Sequence, residues 1–99
     1  MNTFDQVYDL VSRIPEGKVT TYGALSKLVG ANPRVIGYAL HQNKDPKNIP
    51  CYRVINSKGM ISSGYAFGGG GIQKQMLEIE GVVFDEKQKV DLKNFGIFI

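Results

Sequence analysis

The chain has few of the side chains from which cross-links and metal sites are built. Its 99 residues include one cysteine and one histidine. A single cysteine excludes an internal disulfide, and one cysteine with one histidine provides no set of metal ligands. We therefore expect a protein of a reducing compartment that holds no metal.

Targeting and membrane-spanning segments are also missing from the sequence. Residues 1–5 lack the basic region and apolar run of a secretion signal, and no stretch approaches the about 20 apolar residues of a membrane span. We expect a cytoplasmic protein, or a nuclear one if the source has a nucleus, with no membrane partner. There is no repeat, low-complexity tract or linker, so residues 1–99 are predicted to form a single small domain.

Charge is only mildly unbalanced. The formal net charge of +3 indicates a modest bias toward polyanions. Charge alone does not identify a nucleic-acid-binding protein.

Hydrophobic spacing and capping residues predict a mainly α-helical domain. The first predicted helix has about 10 residues and starts with a capping box at residues 3–6. The second runs from about Tyr22 to Val29, is capped by Thr20 or Thr21 and ends at Gly30, and the third starts at Asn32-Pro33 and runs to about His41 or Gln42. The fourth is marked by Ile72, Met76, Leu77 and Ile79 and ends at Gly81.

Between the third and fourth helices the pattern changes. Residues 53–56 and 60–62, joined by residues 57–59, are predicted to form a short β-hairpin. Residues 63–71, which include Tyr65 and Phe67, are predicted to form a glycine-rich loop. No lysine-serine/threonine pair follows its glycines, so a phosphate-binding loop is excluded, and a lid over a flat ligand or a simple turn are the alternatives.

The second and third helices are joined by only a few residues around Gly30. This spacing is typical of a helix-turn-helix, although an ordinary helical hairpin gives a similar pattern. The third helix carries Arg34, Tyr38, His41 and Gln42 outside its apolar face. All four can contact phosphates or bases, although a lone histidine is more often a surface residue than a catalytic one.

Cys51 lies in the pentad Pro50-Cys51-Tyr52-Arg53-Val54. Residue type alone favours an inert, buried cysteine. The alternative is a nucleophile, and Arg53 would favour its thiolate form if the two side chains converge. Glu80, at the end of the fourth helix, is by residue type a solvated charge.

Together these motifs resemble the DNA-binding domain of the O6-alkylguanine-DNA alkyltransferases. The resemblance covers about residues 3 to 85 and is carried by residues 17–23, 34–37, 43, 49–59, 68–69 and 73–81. It implies a winged helix-turn-helix-like domain, mainly α with a short hairpin. The separate N-terminal domain of many family members is not among these residues, and the length is typical of the alkyltransferase-like proteins.

The resemblance also implies a mechanism. Family members bind the minor groove through the helix-turn-helix and flip the damaged nucleotide into a pocket, where a cysteine takes the alkyl group irreversibly. Cys51 occupies the acceptor position, and Asn43 the position that braces the active-site turn. Arg34 is expected to fill the vacated base stack, and Tyr22 to turn the 3′ phosphate. Glu80 occupies the position of the glutamate that orients the neighbour of the cysteine.

Further contacts follow from the same resemblance. Asn32, Tyr38 and Arg53 are expected to contact DNA, and either Tyr65 or Phe67 to contact the flipped base. The expected partner is double-stranded DNA that contains O6-alkylguanine, bound by a monomer without a cofactor.

Tyr52 departs from the family pattern, because alkyltransferases have a histidine at this position that helps to remove the thiol proton. A tyrosine, with a pKa near 10, is a poor base at neutral pH, although it can hydrogen-bond to water or to Glu80. Alkyltransferase-like proteins usually lack the cysteine, and some have an aromatic residue in place of the histidine.

Three functions remain open. The first is single-turnover repair, with alkyl transfer to Cys51, since a thiolate is intrinsically nucleophilic. The second is a non-catalytic damage sensor that binds the lesion and recruits nucleotide excision repair proteins. The third is a DNA-binding protein without preference for the lesion.

Overall fold

A computed structural model of the chain describes residues 2–61 and 68–99. In that part of the chain the elements are α1 (Thr3–Ser12), β1 (Thr20–Thr21), α2 (Tyr22–Val29), α3 (Pro33–His41), one 3₁₀ turn (Cys51–Arg53), β2 (Val54–Ile55), α4 (Gly69–Ile79) and α5 (Leu92–Phe95). The prediction of a mainly helical domain is confirmed. We call the 3₁₀ segment the Cys51 turn. Of the helices described, none is both long and apolar enough to cross a bilayer.

The cap of helix α1 lies one residue earlier than predicted, and the helix begins at Thr3. The side chain of Asn2, and not that of Thr3, accepts a hydrogen bond from the Asp5 N–H at 2.8 Å. Asparagine caps a helix at least as well as threonine, so Thr3 can take the first helical position.

Helices α2 and α3 form the predicted helix-turn-helix. Thr21 caps α2 by accepting from the Ala24 N–H at 3.0 Å, and Asn32 caps α3 by accepting from the Arg34 N–H at 2.8 Å. Gly30 ends α2 with φ 70° and ψ 33°, a left-handed conformation that glycine adopts without a steric penalty. Pro33 takes the first turn of α3, where its missing N–H leaves no bond unmade.

Helices α1, α2 and α3 pack around a first hydrophobic core. Its buried residues are Val7, Val11, Ile14, Leu25, Ile36, Ala39, Leu40, Cys51 and Val54. The Tyr8 hydroxyl donates to the Ala39 carbonyl oxygen at 2.8 Å and so links α1 to α3. Cys51 therefore lies against the inner side of the helix-turn-helix.

The predicted β-hairpin is wrong. Strand β2 pairs instead in parallel with β1, with Thr20 opposite Val54 and Thr21 opposite Ile55. Residues 56–60 do form a turn, in which the Asn56 side chain accepts from the N–H groups of Lys58 and Met60. Met60, however, pairs with Lys89.

Burial explains the choice of partner. Val54 and Ile55 are both fully buried, Val54 in the first core and Ile55 in a second one. A strand that is covered on both faces suits an internal parallel pair better than an exposed hairpin.

Helix α4 and the C-terminal segment enclose this second core. Its buried residues are Val19, Ile55, Leu77, Val82 and Val90. Helix α4 begins at Gly69, so residues 69–71 form its first turn and not the end of the predicted loop. The Cys51 turn lies between the two cores: Cys51 packs in the first, and Tyr52 packs against the second.

Candidate functional site

The site is built around the Cys51 thiol, which is 5% exposed. The Cys51 N–H donates to the Ile49 carbonyl oxygen at 2.7 Å, which tightens the chain into the 3₁₀ turn. Burial raises the pKa of the Cys51 thiol, and a hydrogen bond with the Asn43 side chain opposes that rise without cancelling it. The thiol is therefore protonated at neutral pH in the free protein.

Asn43 is buried beside this turn. Its Nδ2 donates to the Ile49 carbonyl oxygen at 2.8 Å, and its Oδ1 accepts from the Asp45 N–H at 2.9 Å. A single amide thus fixes the loop that follows α3 and the chain two residues before Cys51.

On the other side of the turn, Glu80 holds the side chains of Tyr52 and Arg53. Arg53 donates from Nε to Glu80 Oε1 at 3.0 Å and from Nη2 to Glu80 Oε2 at 2.6 Å, and the Tyr52 hydroxyl donates to Oε2. The two charged side chains are 14% and 6% exposed. Glu80 is therefore half of an enclosed, bidentate ion pair and not a solvated charge.

The same ion pair decides where the charge of Arg53 acts. The remaining donors of its guanidinium bond to the Ile14 carbonyl oxygen at 2.7 Å and to the Tyr52 hydroxyl at 3.2 Å. The charge is neutralised by Glu80, so burial and not a nearby cation governs the pKa of Cys51. The structure does not bring Arg53 to the exposed face of the helix-turn-helix, where the other predicted DNA contacts lie.

The ionisation of Tyr52 and Glu80 follows from this network. Burial and the hydrogen bond to Glu80 raise the pKa of Tyr52 to about 12. Burial opposes ionisation of Glu80, but hydrogen bonds from Arg53, Tyr52 and the Gly17 N–H outweigh it and lower the pKa of the carboxyl group. At neutral pH Tyr52 is a hydrogen-bond donor to a carboxylate and cannot take up the Cys51 proton.

The other predicted DNA-contacting residues lie at the helix-turn-helix. Arg34 is exposed in the first turn of α3, and Tyr38, 59% exposed, lies one turn further on the same face. His41 is exposed at the end of this helix. Asn32 is exposed, but its side-chain oxygen is occupied as the cap of α3. Tyr22 starts α2 and is half-buried against the first core.

The two candidate residues for contact with the flipped base, Tyr65 and Phe67, lie outside the described residues. Within residues 2–61 and 68–99, no three metal-binding side chains come together.

Gln73 is a residue of the site that the sequence did not single out. It is 2% exposed, and its Nε2 donates to the carbonyl oxygens of Tyr52 at 3.0 Å and Val54 at 3.1 Å. The available signal was its spacing: Gln73 lies four residues before Leu77 in α4 and seven before Glu80, the C-cap of this helix, so all three lie on the same side. A polar residue on the buried face of a helix needs a hydrogen-bond partner.

Comparison with known proteins identifies the family. The family model described as the DNA-binding domain of 6-O-methylguanine DNA methyltransferase matches residues 2–82. Alkyltransferase-like protein 1 of Schizosaccharomyces pombe is 42% identical over 81 residues, which cover 80% of this chain and 75% of that protein. A DNA base-flipping protein of Vibrio parahaemolyticus is 37% identical over 94 residues, 91% of this chain and 90% of that protein.

Solved structures agree with the sequence comparison. S. pombe Atl1, in complex with damaged DNA containing O6-carboxymethylguanine, matches with a TM-score of 0.80 and 35% identity, over 96% of this chain and 94% of that chain. Other relatives are longer: the chain spans 43% of a methylated-DNA–protein-cysteine methyltransferase of Methanothermobacter thermautotrophicus and 23% of another curated relative, each at 44% identity. The chain belongs to the family of the 6-O-methylguanine DNA methyltransferase DNA-binding domain.

Proposed function

We propose that this protein recognises O6-alkylguanine in double-stranded DNA, flips the damaged nucleotide out of the helix and accepts its alkyl group on Cys51, once per molecule. One observation carries the proposal: the only cysteine of the chain lies in a turn that is braced from both sides, directly behind the helix-turn-helix. An inert core cysteine needs no such bracing.

The transfer is a nucleophilic substitution at the alkyl carbon. A bond forms between the Cys51 sulfur and this carbon while the bond from the carbon to guanine O6 breaks, and guanine leaves with the electron pair. The thiol proton is lost and guanine takes up one proton, so the reaction balances without a cofactor. A thioether does not regenerate the thiol, so each molecule reacts once.

Base flipping is assigned to the exposed face of the helix-turn-helix. Arg34 carries a planar guanidinium that can stack and hydrogen-bond in the gap left by the base. Tyr22, the first residue of α2, is proposed to act on the neighbouring phosphate. Asn32 and Tyr38 are proposed to contact the DNA backbone as well. Either Tyr65 or Phe67 is proposed, from the sequence, to cover the flipped base.

A second function is favoured by one specific observation, the hydrogen bond from the Tyr52 hydroxyl to Glu80, which together with burial raises the pKa of Tyr52 to about 12. The Tyr52 hydroxyl is held as a donor to Glu80 and cannot serve as a base toward the thiol, and burial raises the pKa of the thiol. A protein with these properties could bind the lesion without repairing it and mark it for nucleotide excision repair proteins. We place either activity in the compartment that holds the DNA, the cytoplasm or, if the source has one, the nucleus, and expect the protein to act as a monomer.

Intact mass measurement separates the two functions. Protein is incubated with an excess of duplex that carries O6-methylguanine, and the modified peptide is mapped. Transfer adds one methyl group, on the peptide that contains Cys51, and Cys51→Ala gains none. Tight binding of the lesion with an unmodified Cys51 would assign the protein to the damage sensors. Equal affinity for modified and unmodified duplexes would exclude both functions.

A further inference from the structure

Gln73 makes the hydrogen bonds that connect α4 to the backbone of the Cys51 turn. Its Nε2 group donates to the carbonyl oxygens of Tyr52 and Val54, the residues on either side of Arg53. A 3₁₀ turn of three residues leaves carbonyl oxygens without partners inside the turn. Leaving a buried carbonyl group without a hydrogen-bond donor costs free energy. The Gln73 amide therefore restricts the backbone position of the residues that end the turn.

We propose that Gln73 is a positioning residue for alkyl transfer: by holding these two carbonyl groups, it fixes the turn so that the Cys51 sulfur meets the flipped base in a single geometry. This role rests on the proposed function. The Gln73 amide bonds to the backbone of Tyr52 and Val54, on the C-terminal side of Cys51. It acts through the turn and is not a catalytic residue.

The position of Gln73 on α4 supports this role. Glu80, the C-cap of α4 and seven residues after Gln73, holds the side chains of Tyr52 and Arg53, while Gln73 holds backbone atoms of the same segment. Asn43 fixes the chain before Cys51 from the opposite side. Cys51 therefore lies between two sets of hydrogen bonds, and a rigid helix supplies one of them.

Geometry matters in this reaction because the sulfur must approach the alkyl carbon opposite the bond that breaks. A displacement of about 1 Å in such a site can slow a reaction about a hundredfold. A buried leucine or methionine at position 73 would fill the same space without the cost of burying an amide. The amide is therefore explained by its two hydrogen bonds and not by packing.

Three variants test the proposal. Gln73→Met keeps the size of the side chain but removes the donor, Gln73→Lys keeps a donor, and Gln75→Met makes the same change at an exposed position of α4. The single-turnover rate constant for methyl transfer is measured with the lesion duplex bound, and the Kd of that duplex is measured separately. DNA-free protein is also labelled with iodoacetamide, which reports how often the buried Cys51 becomes accessible.

For Gln73→Met we expect transfer to slow by about 10–100-fold, as is usual when a supporting hydrogen bond of a reactive site is lost, with a Kd within about twofold of wild type. Labelling of Cys51 by iodoacetamide should become faster, because the turn is less restrained. Gln73→Lys should recover most of the transfer rate, and Gln75→Met should match wild type.

Transfer at the wild-type rate in Gln73→Met would overturn the proposal. Equal losses of transfer and of lesion binding, without recovery in Gln73→Lys, would also overturn it, because they indicate general destabilisation. If wild-type protein transfers no methyl group, the proposed alkyl transfer fails by itself. The iodoacetamide rates, which need no DNA, then decide whether Gln73 holds the turn.

Discussion

Tyr52 directly follows the candidate nucleophile Cys51 in the chain, yet its hydroxyl donates a hydrogen bond to Glu80 and not to the thiol. With a pKa of about 12, the phenol keeps its proton over the whole physiological range. If the proposed alkyl transfer takes place, Tyr52 does not take up the Cys51 proton, and we expect that proton to pass to water. We then expect the thiolate fraction of Cys51, which burial lowers, to limit the rate of the proposed transfer.

The rate of alkyl transfer should consequently rise with pH. The pKa of the thiol lies above its ordinary value, so the thiolate fraction increases with each step in pH between about 6 and 9, and no plateau is expected below the ordinary thiol pKa. Tyr52→His introduces a base with a pKa near neutrality beside Glu80 and should raise the rate at pH 7 by at least about tenfold. Single-turnover rate constants measured across this pH range check both statements.

Tyr52→Phe is the matched control for that substitution, since it keeps the ring but has no titratable group. It should leave the pH profile of transfer unchanged in shape. A similar acceleration in Tyr52→Phe and Tyr52→His would show that loss of the hydroxyl, and not gain of a base, is responsible.

The role of Arg53 shows what a sequence can and cannot predict for single residues. Its separation of two residues from Cys51 predicts a nearby cation, but the guanidinium is directed by Glu80, 27 residues further along the chain. Sequence spacing gives no information about such a distant partner. Asn43 and Cys51 were identified through the family resemblance, whereas Gln73 was missed because its hydrogen bonds are to backbone atoms, which the sequence does not reveal.

At the scale of secondary-structure elements, local signals were reliable and long-range pairing was not. The caps and ends of α2 and α3 depend on neighbouring residues such as Thr21, Gly30 and Asn32, and they were predicted correctly. The partner of β2 lies 34 residues earlier in the chain, and local turn signals instead indicated a hairpin. Helix α4 begins within a glycine tract, which has low helix propensity, so packing and not propensity determines its start.

The two residues of β1 give opposite predictions for stability. Thr20 is fully buried, and in the part of the chain that the structure describes its hydroxyl has no hydrogen-bond partner. Thr20→Val removes an unsatisfied polar group and should increase the free energy of unfolding by about 1–2 kcal/mol. Thr21 uses its hydroxyl to cap α2, so Thr21→Val should decrease that free energy by about 1 kcal/mol.

Urea denaturation at neutral pH measures both changes in the free energy of unfolding. Because valine has nearly the same shape as threonine, each variant serves as a control for the other. Destabilisation by Thr20→Val would mean that the hydroxyl has a partner, such as a buried water molecule. An unchanged stability in Thr21→Val would show that the cap of α2 contributes little.

For the whole molecule, the exposed face of α3 and the buried thiol are separate, so we expect DNA binding to have two contributions. One is the attraction of the protein to phosphates, and the other is recognition of the lesion. The net charge of +3 is small, so attraction to phosphates provides moderate affinity that does not depend on the lesion. Under the proposed function, recognition of the lesion requires the base to leave the stack, and we expect Arg34 to contribute to its free energy. The first contribution is sensitive to salt because counterions are released, and the second is not.

Raising the salt concentration should therefore weaken binding to lesion and normal duplexes in parallel and preserve the ratio of the two Kd values. Arg34→Ala should lower that ratio by about tenfold, equivalent to about 1.4 kcal/mol, while retaining binding to normal DNA. Arg34→Lys keeps the charge but loses the planar group, so it should lower the ratio as well and leave the salt dependence of wild type. Fluorescence anisotropy with both duplexes at several salt concentrations measures these quantities. A wild-type ratio in both variants would remove Arg34 from the base-flipping step, since a charge that only attracts phosphates cannot distinguish a damaged duplex from a normal one.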